Sequence, residues 1–333
     1  MTKGEEYLYN IPVKYICDCI NSLFFDYNCV KCGCSNTYGV LFLDSFVGTN
    51  FDMETINRER AKLIESFRTG NISEKCKNCY MLKEDTDGEI DKEFPKELGR
   101  IFISHWYHCN SGCIYCTNRH ITNLKISEKS KKSDYYDLYP TIKYLCSNGY
   151  IGKDTKITSV GGEPTVLNEY EKIMKELMKY SEEYVLILSN GIIFSKAIYN
   201  ILKTRASEII ISLDSGSREM YRRIKRVDKF NDVLKNIKKY MKANPKNIYS
   251  VRLKYILIKG VNDNIDEVNS FLDTARKLGV KKVYLAVDFN HQHVNQPLPE
   301  HWFEIHEKFL STKDLDPFVD EYCQNLFEKK YIF

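Results

Sequence analysis

Residues 99–116 read GRIFISHWYH-CNSGCIYC. The first ten are β-branched and aromatic, the composition of a strand. They lead directly into Cys109, Cys113 and Cys116, a C-x3-C-x2-C. In βα folds the loops that follow the strands carry the active site. Three thiolates on one short loop suit three irons of a cubane, which usually takes four Cys ligands. A run of only three leaves one iron for a small-molecule ligand. Zinc is the alternative, although it prefers four ligands in paired spacings.

Working outward, further short apolar runs follow at 155–160, 183–189, 207–213, 250–258 and 281–288. Amphipathic stretches separate them at 168–180, 194–204, 217–242 and 264–278. Six strands alternating with helices predict an α/β fold with a parallel sheet, a partial (β/α)6 TIM-like barrel. The spacing divides the chain into a Cys-rich module at 1–95, a core at 96–295 and a helical extension at 296–333. Within the first module, Met53 to about Arg68 reads as a helix with Ile56, Leu63, Ile64 and Phe67 on its apolar stripe.

The second strand runs into Gly161-Gly162-Glu163-Pro164. The glycines let backbone come close to a ligand. Pro164 removes an N–H donor, so carbonyls and the Glu163 carboxylate dominate, which suits an ammonium group. With the Cys triad, an aromatic before its last member (Tyr115) and this GGEP, residues 98–290 resemble the radical SAM superfamily.

That resemblance implies a [4Fe-4S] cluster on Cys109, Cys113 and Cys116 that chelates S-adenosylmethionine (SAM). It implies reductive cleavage of SAM to a 5′-deoxyadenosyl radical, which abstracts a substrate hydrogen. It carries SAM contacts over to Gly161, Gly162, Glu163 and Pro164, to Ser189 and Asn190 after strand three, and to Ser212 and Asp214 after strand four. Tyr115 would pack near the adenine. The last two pairs also read as ordinary turn residues.

Twelve cysteines in a chain with no apolar leader point to metal or catalysis rather than disulfides. Seven of them precede the core. Cys76-Lys-Asn-Cys79 suits one metal from a tight loop, and the early cluster offers partners. This segment resembles the auxiliary-cluster module of SPASM/twitch-type proteins. The resemblance implies a second [4Fe-4S] cluster on Cys17, Cys34, Cys76 and Cys79, with Cys32 and Cys19 as alternates; a structural zinc stays open. Cys146 and Cys323 read as core residues.

The bulk properties narrow the partners. A net charge of +4, scattered beside acids, makes no nucleic-acid footprint. No apolar run is long enough for a membrane span. A cytoplasmic, low-oxygen setting is expected, with flavodoxin or ferredoxin as electron donor. Polar residues near the barrel mouth are substrate candidates: Lys254, Tyr255, Asp288 and Asn290, with His105, Tyr107, His291 and His293 beside them. The Arg222, Arg223, Lys225, Arg226 group reads as a solvated helix face. The expected substrate is a small metabolite or a nucleotide- or glycan-linked sugar. A peptide maturase with the same parts is the second reading, and a zinc-stabilised interaction protein the third.

Overall fold

The structure is a computed structural model describing residues 13–26, 29–33, 40–42, 51–77, 79, 81–116, 136–288, 298–319 and 321–328. Its strands are β1 (Tyr15–Cys17), β2 (Ser22–Phe25), β3 (Cys29–Cys32), β4 (Val40–Phe42), β5 (Leu82–Glu84), β6 (Arg100–Ile103), β7 (Lys156–Ser159), β8 (Val185–Ser189), β9 (Glu208–Ser212), β10 (Val251–Leu257), β11 (Lys282–Val287) and β12 (Asp316–Val319). Its helices are α1 (Met53–Arg68), α2 (Glu74–Lys77), α3 (Tyr139–Ser147), α4 (Tyr170–Leu177), α5 (Lys196–Thr204), α6 (Arg218–Lys225), α7 (Phe230–Met241), α8 (Ile265–Leu278), α9 (His301–Leu310) and α10 (Glu321–Glu328).

The main sheet has the order β12-β11-β10-β9-β8-β7-β6-β2-β3-β4 and stays open. Every pair from β12 to β2 is parallel. The outer β3 and β4 are antiparallel. β1 and β5 pair separately. One face is a continuous apolar layer under the helices, including Ile101, Ile157, Ile187, Ile209, Leu253 and Leu285, all without exposed surface. The other face keeps Phe24, Phe102, Leu186, Lys254 and Tyr284 partly exposed. A parallel sheet is normally covered on both faces. A half-exposed face is what the inside of a partial, open barrel presents.

Side-chain caps set the helix starts. Asp52 accepts from Glu54 N and Thr55 N at α1, and Asn264 from Glu267 N at α8. The stretch 217–242 forms two helices rather than one. Arg226 takes a left-handed conformation (φ 58°) that ends α6, and Arg218 grips Asp228 across the turn at 2.7 Å. Neither Gly nor Pro marks this break. The parallel set also exceeds six strands, because β2 and β12 join it at either side. The C-terminal region is thus helix, strand, helix. Among the described residues no helix is long and apolar enough to cross a membrane.

Candidate active site

β6 stops at Ile103, well before Cys109. Ser104 N still donates to Phe25 O of β2 (2.8 Å), and beyond it the chain bonds to the segment after β7: Gly162 N donates to Trp106 O (2.5 Å) and Glu163 N to His108 O (2.8 Å). A Cβ on Gly162 would lie 2.4 Å from His108 O and 2.6 Å from Tyr107 C. Only glycine allows this approach. Gly162→Ala is expected to force backbone apart beside Cys109, costing about 1–3 kcal/mol. A guanidinium titration checks it, and an unchanged midpoint would contradict the close packing.

The thiol loop is held from two sides. Gly112 N donates to Lys225 O (2.9 Å) and Ile114 N to Ile224 O (3.0 Å), so the end of α6 carries its middle. Ser111 Oγ lies 3.3 Å from Cys109 Sγ and 3.4 Å from Cys113 Sγ. Asn190 Nδ2 donates to Asn110 Oδ1 (2.7 Å) and to Cys109 Sγ (3.4 Å). All three cysteines are half-buried. Burial pushes the Cys109 thiol up to about 11, so a metal must displace its proton to bind.

Glu163 ties β7 to β8. Its Oε1 accepts from Thr165 Oγ1 (2.6 Å), Thr165 N (3.2 Å) and Ser189 Oγ (2.9 Å). Its Oε2 accepts from Asn190 N (2.7 Å). Burial raises its pKa, against the pull of these donors. Both oxygens are therefore engaged by the protein itself.

Asp214 also turns inward. It sits at φ 61° with no exposed surface. Its carboxylate accepts from the Lys225 ammonium, from Tyr115 OH (2.7 Å) and from Ile256 N (3.1 Å). Lys225 Nζ also donates to Tyr115 OH (2.8 Å). Burial opposes the Lys225 charge, but Asp214, together with Cys113 and Tyr221, outweighs it and raises the ammonium above its ordinary range. Lys225 thus departs from the expected solvated face, whereas Arg222, Arg223 and Arg226 are exposed. Its signal was its place four residues after buried Tyr221, on the apolar side of α6. Ser212 is half-buried at the end of β9.

The profile of the radical SAM superfamily matches residues 103–275. The chain belongs to that superfamily. It is a radical SAM enzyme, of a family that uses a [4Fe-4S] cluster and SAM. The chain is 28% identical over 193 residues to GTP 3′,8-cyclase of Clostridium acetobutylicum, covering 58% of this chain and 57% of that protein. It is 24% identical over 226 residues to the probable GTP 3′,8-cyclase of Sulfurisphaera tokodaii, covering 68% and 66%. The matched region thus spans little more than half of the first relative. Among solved structures, native anSMEcpe with bound AdoMet aligns at TM-score 0.49 and 14% identity, covering 69% of this chain and 65% of that one. Streptococcus suis SuiB bound to precursor peptide SuiA aligns at 0.48 and 12%, covering 80% and 62%.

The substrate candidates are scattered. Lys254 lies on the half-exposed face, its Nζ 4.8 Å from the Tyr284 ring. Tyr255 faces the helices instead, its ring 4.9 Å from that of Phe271 and its hydroxyl donating to Asn262 O (2.6 Å). Strand alternation separates these two neighbours. Asp288 follows β11, its N–H bonded to Leu257 O (3.0 Å). Asn290, His291 and His293 lie outside the described residues. Tyr107 OH donates to Asp26 Oδ1 (2.5 Å).

His105 is fully buried against Tyr136, and among the described residues neither ring nitrogen has a hydrogen-bond partner. Burial lowers its pKa to about 3. The unfolded chain takes up this proton near pH 6.5 and the folded chain only near 3. Stability from this group is therefore full above pH 6.5 and falls on acidification by about 1.4 kcal/mol per pH unit. A His105→Phe variant should lose about 2 kcal/mol less than wild type between pH 7 and pH 5 in urea titrations. Parallel curves would contradict a neutral buried imidazole.

Of the auxiliary candidates, Cys17 ends β1 and pairs across to Leu82, whose N–H donates to Cys79 O (3.0 Å). Cys79 N donates to Cys76 O (2.9 Å), and Cys19 N to Cys17 Sγ (3.4 Å). Cys17 and Cys76 belong to one small apolar core. Cys32 sits apart, buried in the main core, and Cys34 lies outside the described residues. Among the described residues no three His, Cys, Asp or Glu side chains close around one metal ion. A cubane differs in seating each thiolate on a separate iron.

Proposed function

We propose that Cys109, Cys113 and Cys116 hold the SAM-binding [4Fe-4S] cluster and that the enzyme acts on a small nucleotide- or sugar-type substrate. The carrying observation is that the half-buried cysteine loop, the segment after β7 and Ser189-Asn190 are joined through Glu163 and Asn190. When bound, cluster and SAM supply a 5′-deoxyadenosyl radical that abstracts a substrate hydrogen.

The chain's own residues do the positioning. Glu163 holds two strand ends in register. With its oxygens engaged, the carbonyls of Gly161 and Gly162 are the acceptors we assign to the SAM amino group. Asp214, Lys225 and Tyr115 brace the thiol loop. The half-exposed sheet face, with Lys254 beside Tyr284, suits an anionic ring-bearing substrate. The relatives' activity, on GTP by their name, favours the same class. The pairing of β1 with β5 supports a second cluster on Cys17, Cys76 and Cys79, with Cys19 or Cys34 as the fourth ligand. Flavodoxin or ferredoxin is the proposed reductant.

Anaerobically reconstituted enzyme, reduced with dithionite, should release 5′-deoxyadenosine from SAM. Nucleotides or nucleotide sugars should stimulate release several-fold. Stimulation by peptides alone would replace the substrate class. No release from a cluster-loaded protein would overturn the reading.

A further inference from the structure

On the cluster assignment proposed above, we infer that Ser111 is a positioning residue that raises the reduction potential of the cluster, by donating its hydroxyl proton to the sulfurs of Cys109 and Cys113. Ser111 lies between these two thiols and is only 6% exposed. Its Oγ is 3.3 Å from Cys109 Sγ and 3.4 Å from Cys113 Sγ, and these sulfurs are the partners of its side chain among the described residues. A buried hydroxyl shielded from water places its proton on one of them.

While the thiols are protonated, either atom of each contact can be the donor. A sulfur bound to iron has lost its proton and can only accept. The hydroxyl then becomes the donor, with one proton for two sulfurs. A second donor serves Cys109. Asn190 Oδ1 accepts from Ile192 N (2.9 Å), which turns the amide nitrogen towards the loop. That nitrogen donates to Asn110 Oδ1 (2.7 Å) and to Cys109 Sγ (3.4 Å). Two buried charges flank these donors, the Glu163 carboxylate beside Cys109 and the Lys225 ammonium beside Cys113. They act on the loop in opposite senses.

Uptake of one electron, from the flavodoxin- or ferredoxin-type donor proposed above, makes the cluster and its thiolates more negative and breaks no bond. Donors aimed at the sulfurs stabilise that reduced state more than the oxidised one. Residues around a metal site thereby adjust it without touching the metal.

Redox titration of the anaerobically reconstituted full chain, read by electron paramagnetic resonance of the reduced cluster, tests this. The relevant signal is the one missing from the Cys109/Cys113/Cys116→Ala triple variant. At a fixed ambient potential near the midpoint, the ratio of reduced to oxidised cluster should fall about fivefold in Ser111→Ala. Ser111→Thr keeps the hydroxyl and should stay within about twofold of wild type. Both variants should keep the wild-type iron content. An unchanged or higher ratio in Ser111→Ala overturns the proposal. So does an equal fall in Ser111→Thr, which would assign the effect to packing rather than to the proton. Loss of iron in Ser111→Ala would make the hydroxyl a requirement for assembly and overturns it as well. If the triple variant loses no signal, the cluster assignment itself fails; a normal wild-type signal with an unmoved Ser111→Ala ratio fails the hydroxyl alone.

Discussion

Iron per chain is expected to fall from about eight to about four when Cys109, Cys113 and Cys116 are all replaced by Ala, since each cubane holds four. SAM cleavage should vanish in the same variant, a loss of the whole activity rather than a fraction. The three thiols share one loop, and that loop hangs from Lys225 O and Ile224 O rather than from the thiols themselves. The fold should therefore survive, and the far-ultraviolet circular dichroism should match wild type. Retention of all iron would remove the cluster from this loop. A wild-type count near four, falling to none, would keep the SAM cluster but remove the second.

The next largest effect belongs to Lys225→Met. It leaves the Asp214 carboxylate buried with no exposed surface and without its cation. Breaking a buried pair on one side costs about 3–5 kcal/mol. The double variant Asp214→Asn/Lys225→Met removes both charges and should regain much of that loss. A double-mutant cycle by urea unfolding reads the coupling directly. A single-variant loss below about 1 kcal/mol would mean that the charges do not depend on each other. The thiol loop should suffer with the pair, because Tyr115 bonds to both partners.

The βα alternation was legible because the buried strands are dense in Ile, Leu and Val, and the intervening stretches are amphipathic. α1 matches its expected limits because Asp52 caps it and Ile56 and Phe67 anchor it. The flanking strands were hidden. β2 is four residues among cysteines, and β12 contains Pro317, which argues against a strand. The break between α6 and α7 rests on a left-handed arginine, a conformation that no residue pattern advertises. At the site, the Cys spacing and GGEP could be read from local sequence. The directions of Glu163, Asp214 and Tyr255 could not, because each is settled by partners distant along the chain, such as Asn190, Lys225 and Phe271.

The strand order has an effect beyond the site. An open sheet ends in rows of unsatisfied backbone groups that can recruit another chain. Here one end of the sheet is β12, only four residues long, with Pro317 inside it and Asp316 at its start. Proline presents no donor, and a charged, brief rim makes a poor template. The last strand thus doubles as a stop against edge-to-edge polymerisation, a protection that a longer alternating strand there would forfeit.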